Sequence, residues 1–343
     1  MATARPVPTT PTRGRSLFVV LSVLAVLAVV LPLALTTRAD RPAEASPAAA
    51  VAPVVVTGPS SKPTVGGPGT PAGDGRFVRV RAGGLDRDYL LLPALGLPAG
   101  TPAPLLVVLH QDIGSPRAVA ENLGLDALRR EGITLAYPEG IGGSWAAGAC
   151  CGVAKDRDVD DVAFVDEVLR DAGRRTPVAA DRAAVLGYSG GGMLLYKFLC
   201  RPHAPIVAAV EVNGSLESHC PDGTRLPDLL SLHGARDGSV GMHKPVFVTH
   251  LGMAPRPVTS TLATVTQKAG CAVRTAKAGQ NVDLVRWTGC RGGSAVEAVI
   301  VKAAGHRWED VGGATRTRQF LLSRLRPTAP APAPSSSAQR SAA

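Results

Sequence analysis

Ala183-Ala184-Val185-Leu186-Gly187-Tyr188-Ser189-Gly190-Gly191-Gly192-Met193 decides how the chain is read. The small apolar residues before Gly187 make a buried strand, a G-x-S-x-G pentapeptide follows at once, and Met193–Leu199 continues as a helix. A serine between strand and helix sits on a sharp turn that lifts its hydroxyl to the carboxyl edge of a sheet. Glycine on either side leaves room for neighbouring backbone. Taken alone, the pentapeptide also suits a phosphate cradle or a chance glycine-rich turn, so its chemistry depends on what else the chain supplies.

A serine hydroxyl becomes a nucleophile when a base takes its proton and an acid orients that base. After the apolar run Leu229–Leu232 comes His233-Gly234-Ala235-Arg236-Asp237, which puts Asp237 in a loop past a strand end. After Val296–Val301 comes Ala303-Ala304-Gly305-His306, which puts His306 past the last strand. Ser189, Asp237 and His306 thus follow one another in the order that a strand–turn–helix nucleophile of this kind uses. Asp222 and Asp228 precede the strand whose end Asp237 occupies. His110 follows a strand too early in the chain, and His203, His219, His243 and His250 have no strand end before them; these five are read as surface or structural histidines, and His233 as bonded within its own loop. Acyl transfer also places negative charge on the former carbonyl oxygen, which two fixed N–H donors must meet. Gly190 supplies one by its position, and the loop after Leu105–Leu109 supplies the other from Gln111 or Asp112.

Outward from this stretch, short apolar runs alternate with amphipathic ones, the pattern of an α/β fold with a mainly parallel central sheet flanked by helices. Phe77–Arg81 and Tyr89–Leu92 read as an antiparallel leading pair, Pro104–Leu109, Ile133–Tyr137 and Ile206–Val212 as buried strands, and Thr317–Leu325 as a closing helix. Ala118–Arg130 reads as one helix despite Gly124. Asp158, Asp160 and Asp161 read as the capped, solvated start of a helix carrying Val162, Val165 and Val168, rather than as a cation site.

The chain has 343 residues, a formal charge of +10 and 45% hydrophobic residues, which excludes a short disulfide scaffold and a chain too polar to build a core. Arg5, Arg13 and Arg15 precede the uncharged apolar run Ser16–Leu35, so residues 1–39 are expected to be an export signal or an uncleaved signal-anchor. Residues 40–75 and 327–343, rich in Pro, Ala and Ser, are expected to be a linker and a tail, which leaves 76–326 as a single catalytic domain. An extracellular protein is expected, secreted or held at the outer face of the cytoplasmic membrane. The basic residues of that domain are diffuse, so nucleic acid is not an expected partner. The six Cys lie inside the domain, and an even number in an exported chain favours disulfides. Cys271 and Cys290 are the nearest reasonable pair by sequence. No C-x-x-C pair or suitably spaced His suggests a metal.

Several motifs recur in one order: Arg87-Asp88-Tyr89, Leu109-His110, Tyr137-Pro138-Glu139-Gly140, Trp145 with Gly148–Gly152, Asp158–Val162, Gly187–Met193, His233-Gly234 with Asp237, and Gly305-His306 with Trp308. Together they resemble the secreted polyhydroxybutyrate depolymerase and feruloyl esterase-like family of α/β-hydrolases, over about residues 76–326. The resemblance implies a carboxylic ester hydrolase acting on short-chain, hydroxyalkanoate, feruloyl or acetyl esters, with Ser189 as nucleophile, His306 as base and Asp237 as orienting acid. It implies no cofactor, and a monomer is expected. An envelope acyltransferase using the same three residues, or a tethered protein that has lost turnover, are the alternative readings. Two positions depart from the family: His-Gly is replaced by His110-Gln111, and an Asn after the nucleophile by Gly190. The resemblance makes Cys150 and Cys151 structural, either bridged to each other or paired with Cys200 and Cys220.

Overall fold

The computed structural model describes residues 75–325. The expected leader, the linker up to residue 74 and the tail lie outside the described residues. Ten strands form one sheet: β1 (Arg76–Ala82), β2 (Leu85–Leu92), β3 (Ala103–Leu109), β4 (Thr134–Pro138), β5 (Val178–Tyr188), β6 (Ala208–Val212), β7 (Asp228–Gly234), β8 (Val273–Lys277), β9 (Val282–Thr288) and β10 (Val296–Val301). Across the sheet they run β1-β2-β4-β3-β5-β6-β7-β10-β9-β8. The six central strands are parallel, and antiparallel pairs close both edges. This is the α/β-hydrolase architecture.

The parallel centre explains the continuous apolar runs. Every residue of β3 is buried, because Leu105, Val107 and Leu109 join one core layer while Leu106 and Val108 join the other. Helices α1 (Pro116–Asn122), α2 (Ala127–Arg130), α3 (Gly152–Asp156), α4 (Asp161–Arg175), α5 (Gly190–Leu199), α6 (Val258–Lys268) and α7 (Gly313–Leu325) connect the strands. Those of α4, α5 and α6 supply Phe164, Val168, Leu194, Phe198 and Leu262 to the first layer; α1 and α7 supply Val119, Phe320 and Leu321 to the second. Each such side chain removed from water stabilises the fold by roughly 1.5–3 kcal/mol.

The sequence expectations need three corrections here. Ala118–Arg130 is two helices, because Gly124 takes φ +66°, outside helical space, and turns the chain between them. Helix α6, strand β8 and the short α3 were not foreseen. The third concerns Asp161. Asp160 does cap α4, accepting from Ala163 N at 3.0 Å. Asp161 is instead fully buried and paired with Arg87, whose Nη2 donates to it at 2.8 Å and to the Glu139 carbonyl at 3.0 Å. The other Asp161 oxygen accepts from Ala146 N at 2.7 Å, and the guanidinium lies 4.0 Å over the Phe164 ring. Burial pushes the Asp161 carboxyl up, against the pull of Arg87. One ion pair thus ties β2, the loop after β4 and the start of α4 together.

The cysteines pair as Cys150–Cys151, Cys200–Cys220 and Cys271–Cys290. Among the described residues no helix is long and apolar enough to cross a membrane.

Removing one partner of a buried ion pair leaves an uncompensated charge in the core. Arg87→Ala is expected to lower stability by about 3–5 kcal/mol in urea denaturation, whereas exposed Arg79→Ala changes it by less than about 1 kcal/mol.

Candidate active site

Strand β5 ends at Tyr188 and α5 begins at Gly190, so Ser189 alone makes the turn, at φ 54° and ψ −117°. A non-glycine residue held there is strained, and close packing around it maintains the strain. A Cβ at Gly191 would strike the carbonyls of Leu109 and His110, so glycine is what lets α5 lie directly on the end of β3.

The three side chains singled out by order meet at this turn. Ser189 Oγ lies 2.9 Å from His306 Nε2, and His306 Nδ1 lies 2.8 Å from Asp237 Oδ2. The carboxylate fixes the tautomer: Nδ1–H donates to Asp237, which leaves Nε2 to accept the serine proton. Asp237 is buried, and its other oxygen accepts from Ser239 N at 2.7 Å and Val240 N at 2.9 Å. It is therefore held in place from both sides. His306 sits in the loop after β10, its ring stacked against Tyr188 at 6.0 Å between centroids.

A fourth residue, absent from the sequence reading, joins two of these loops. Asn213 follows β6 at φ 52°. Its Nδ2 donates to the His306 carbonyl at 2.8 Å, and its Oδ1 accepts from Gly234 N at 3.2 Å, next to the Asp237 loop. Tyr188 Oη donates to the same His306 carbonyl at 3.1 Å. The available signal was position: a polar residue directly past a buried strand, at the edge that carries Ser189.

The loop after β3 is held through His110. Its Nδ1 donates to the Gln111 carbonyl at 2.7 Å, its Nε2 accepts from Gly140 N at 3.0 Å, and its carbonyl accepts from Trp145 Nε1 at 2.8 Å. Burial holds the His110 imidazole down to about 4, so it is neutral and structural, as read. Gly190, Gln111 and Asp112 come together at this end of the site. The Asp112 carboxyl group fills the space that a side chain on Gly190 would occupy. Burial raises it to about 6, against the opposing pull of His250 and His306. Its ligand oxygen and the sulfurs of Cys150 and Cys151 lie within 4.8 Å of one another, but both sulfurs belong to a disulfide and offer no thiolate to a metal.

His233 departs from expectation. It does not bond within its own loop; its Nε2 meets Glu211 Oε2 at 2.8 Å in the core. The same oxygen accepts from Ser231 Oγ at 2.8 Å and Tyr196 Oη at 3.1 Å, and Gly214 N donates to the other. A carboxylate inside an apolar run was the signal for this cluster, which underlies the Asn213–Gly214 turn.

No family model matches the chain. Feruloyl esterase C of Emericella nidulans is 25% identical to it over 185 residues, 50% of this chain and 64% of that protein. Esterase NocK of Nocardia uniformis subsp. tsuyamanensis is 31% identical over 144 residues, 40% of this chain and 41% of that protein. The matched stretch thus spans less than two thirds of either relative. Among solved structures, acetyl xylan esterase from Aspergillus awamori superposes with a TM-score of 0.54 at 14% identity, covering 72% of this chain and 99% of that one, which speaks to the fold.

Two outcomes follow from this geometry. Asn213→Gly keeps a residue at ease with positive φ and deletes the amide, so labelling of Ser189 by a serine-directed phosphonate should slow by about tenfold while the melting curve stays cooperative. The second concerns pH. Folded His110 refuses, down to about pH 4, a proton that the unfolded chain takes near 6.5, so it makes the fold less stable as pH falls through that window. Folded Asp112 keeps up to about pH 6 a proton that the unfolded chain releases near 3.8, so its contribution runs the opposite way. Asp112→Asn removes the second, and between pH 6 and 4 its urea stability should fall by about 2 kcal/mol more than that of the wild type.

Proposed function

We propose that the chain is a serine carboxylic ester hydrolase of the feruloyl esterase-like kind, a reading supported by its partial sequence similarity to esterases and by its α/β-hydrolase fold. The observation that carries this reading is the unbroken hydrogen-bond chain from Ser189 through His306 to Asp237. His306 Nε2 takes the Ser189 proton as Oγ attacks the ester carbonyl carbon, and the imidazolium formed is stabilised by Asp237. The N–H groups of Gly190 and of Gln111 or Asp112 receive the oxyanion. Collapse of the tetrahedral species expels the alcohol, which takes the proton from His306 and leaves an acyl group on Ser189. Water, deprotonated by His306, then attacks that acyl group; release of the acid returns the proton to Ser189. Every step uses groups of the chain and water, so the reaction calls on no cofactor.

The substrates in this reading are short-chain, hydroxyalkanoate, feruloyl or acetyl esters, and the names of the similar proteins support the feruloyl and acetyl members of that set. Export belongs to the same proposal. Three disulfides suit an oxidising compartment, in agreement with the basic, then apolar, amino-terminal segment.

The test is hydrolysis of p-nitrophenyl butyrate by the full chain in oxidising buffer. Ser189→Ala should lower kcat/KM by at least about 10⁴-fold with the melting curve unchanged. Equal turnover by wild type and Ser189→Ala would remove the serine mechanism.

A further inference from the structure

Asp112 is a poor neighbour for an oxyanion. Its carboxyl group lies against Gly190, the residue after the nucleophile and one of the proposed oxyanion donors. Ionised, it would oppose the negative charge that develops on the substrate oxygen, in surroundings of low dielectric that screen little. The other side of the group is the Cys150–Cys151 disulfide, which is apolar and offers no donor. Its Oδ1 is buried and meets no hydrogen-bond partner among the described residues. A buried carboxyl oxygen left without a donor costs free energy, so its retention beside a reactive serine asks for a ligand.

Among the described residues no lysine or arginine acts as a counter-charge to Asp112. The basic groups that act on Asp112 are His250, on the exposed loop before α6, and His306. His306 has to be neutral to accept the Ser189 proton, so it cannot neutralise the carboxylate in the resting site. An uncharged ester would leave the conflict in place. An ester that carries an ammonium group resolves it: the cation pairs with Asp112, supplies the absent donor, and offsets the repulsion felt by the oxyanion.

We propose that Asp112 is the specificity-determining residue of this site, and that the ester it selects bears a cationic amine close to the scissile carbonyl. This rests on the ester-hydrolase reading above. The amino-terminal end of α5, where Gly190 lies against Asp112, favours the ionised carboxylate once the cation is in place. Asp112 thus has the role of reading substrate charge, while the serine chemistry remains that of Ser189 and His306.

Two isosteric ester pairs test it with the full-length protein at pH 7.5. Alanine methyl ester against methyl isobutyrate carries the cation on the acyl side; 2-(dimethylamino)ethyl acetate against 3-methylbutyl acetate carries it on the alcohol side. Wild type is expected to favour the charged member of one pair by at least about tenfold in kcat/KM, and the pair that responds identifies the side. Asp112→Asn and Asp112→Ala should each bring that ratio to near one, as the charged ester loses its partner and the neutral ester is relieved of the carboxylate that opposes its oxyanion. Phosphonate labelling of Ser189 checks that each variant is folded. Wild type that hydrolyses the neutral esters with no preference in either pair overturns the proposal and leaves the esterase reading standing. A preference that survives both substitutions overturns the assignment to Asp112. Silence toward all four esters from a protein that labels fully overturns the ester-hydrolase reading and the proposal with it.

Discussion

The close approach of α5 to the end of β3 is the constraint on which the site depends. It exists because Gly191 has no side chain, so the helix rests on the carbonyls of Leu109 and His110. From that contact follow the forced backbone of Ser189, the position of Gly190 at the helix start, and the placement of the loop carrying Gln111 and Asp112. A larger residue at position 191 would separate Ser189 from the loop carrying Gln111 and Asp112 before it altered Asp237 or His306.

The rest of the carboxyl edge is held by polar groups anchored in the core. Glu211 gathers donors from Tyr196, Ser231, His233 and the Gly214 backbone, so its burial is compensated by four partners rather than by one. The turn it supports carries Asn213, which joins the His306 and Asp237 loops. Rigidity passes from the core to the His306 loop through hydrogen bonds that fix backbone. Burial also keeps the Tyr196 hydroxyl protonated, well above the usual phenol range, so it remains a donor to Glu211.

Much of this was legible in the residues, and for definite reasons. Apolar runs such as Leu105–Leu109 fix a parallel centre because both faces of the strand are covered, and strand-end loops then have a known edge. Ser189, Asp237 and His306 could be ordered because each follows such a run. Asn213 was not legible as a clamp, since its partners lie 93 and 21 residues away and only the tertiary arrangement unites them. Asp161 was misread as a capping residue because its acidic neighbour Asp160 does that work, and nothing local distinguishes a solvated carboxylate from one that meets Arg87 across the fold. Strand β8 escaped notice because it is exposed along its whole length and so carries no burial pattern.

Gly190 and Asp112 occupy one volume between them. A methyl group on Gly190 would have to displace the Asp112 carboxyl, and loss of that carboxyl would leave a hollow beside the disulfide. The two positions therefore behave as a single inherited character rather than as two. A lineage that moves from a side chain at one to a side chain at the other passes through an intermediate that is either overpacked or hollow, each typically costing on the order of 1–3 kcal/mol. Such a barrier tends to fix whichever solution arises first, and with it the sign of charge that this pocket will admit.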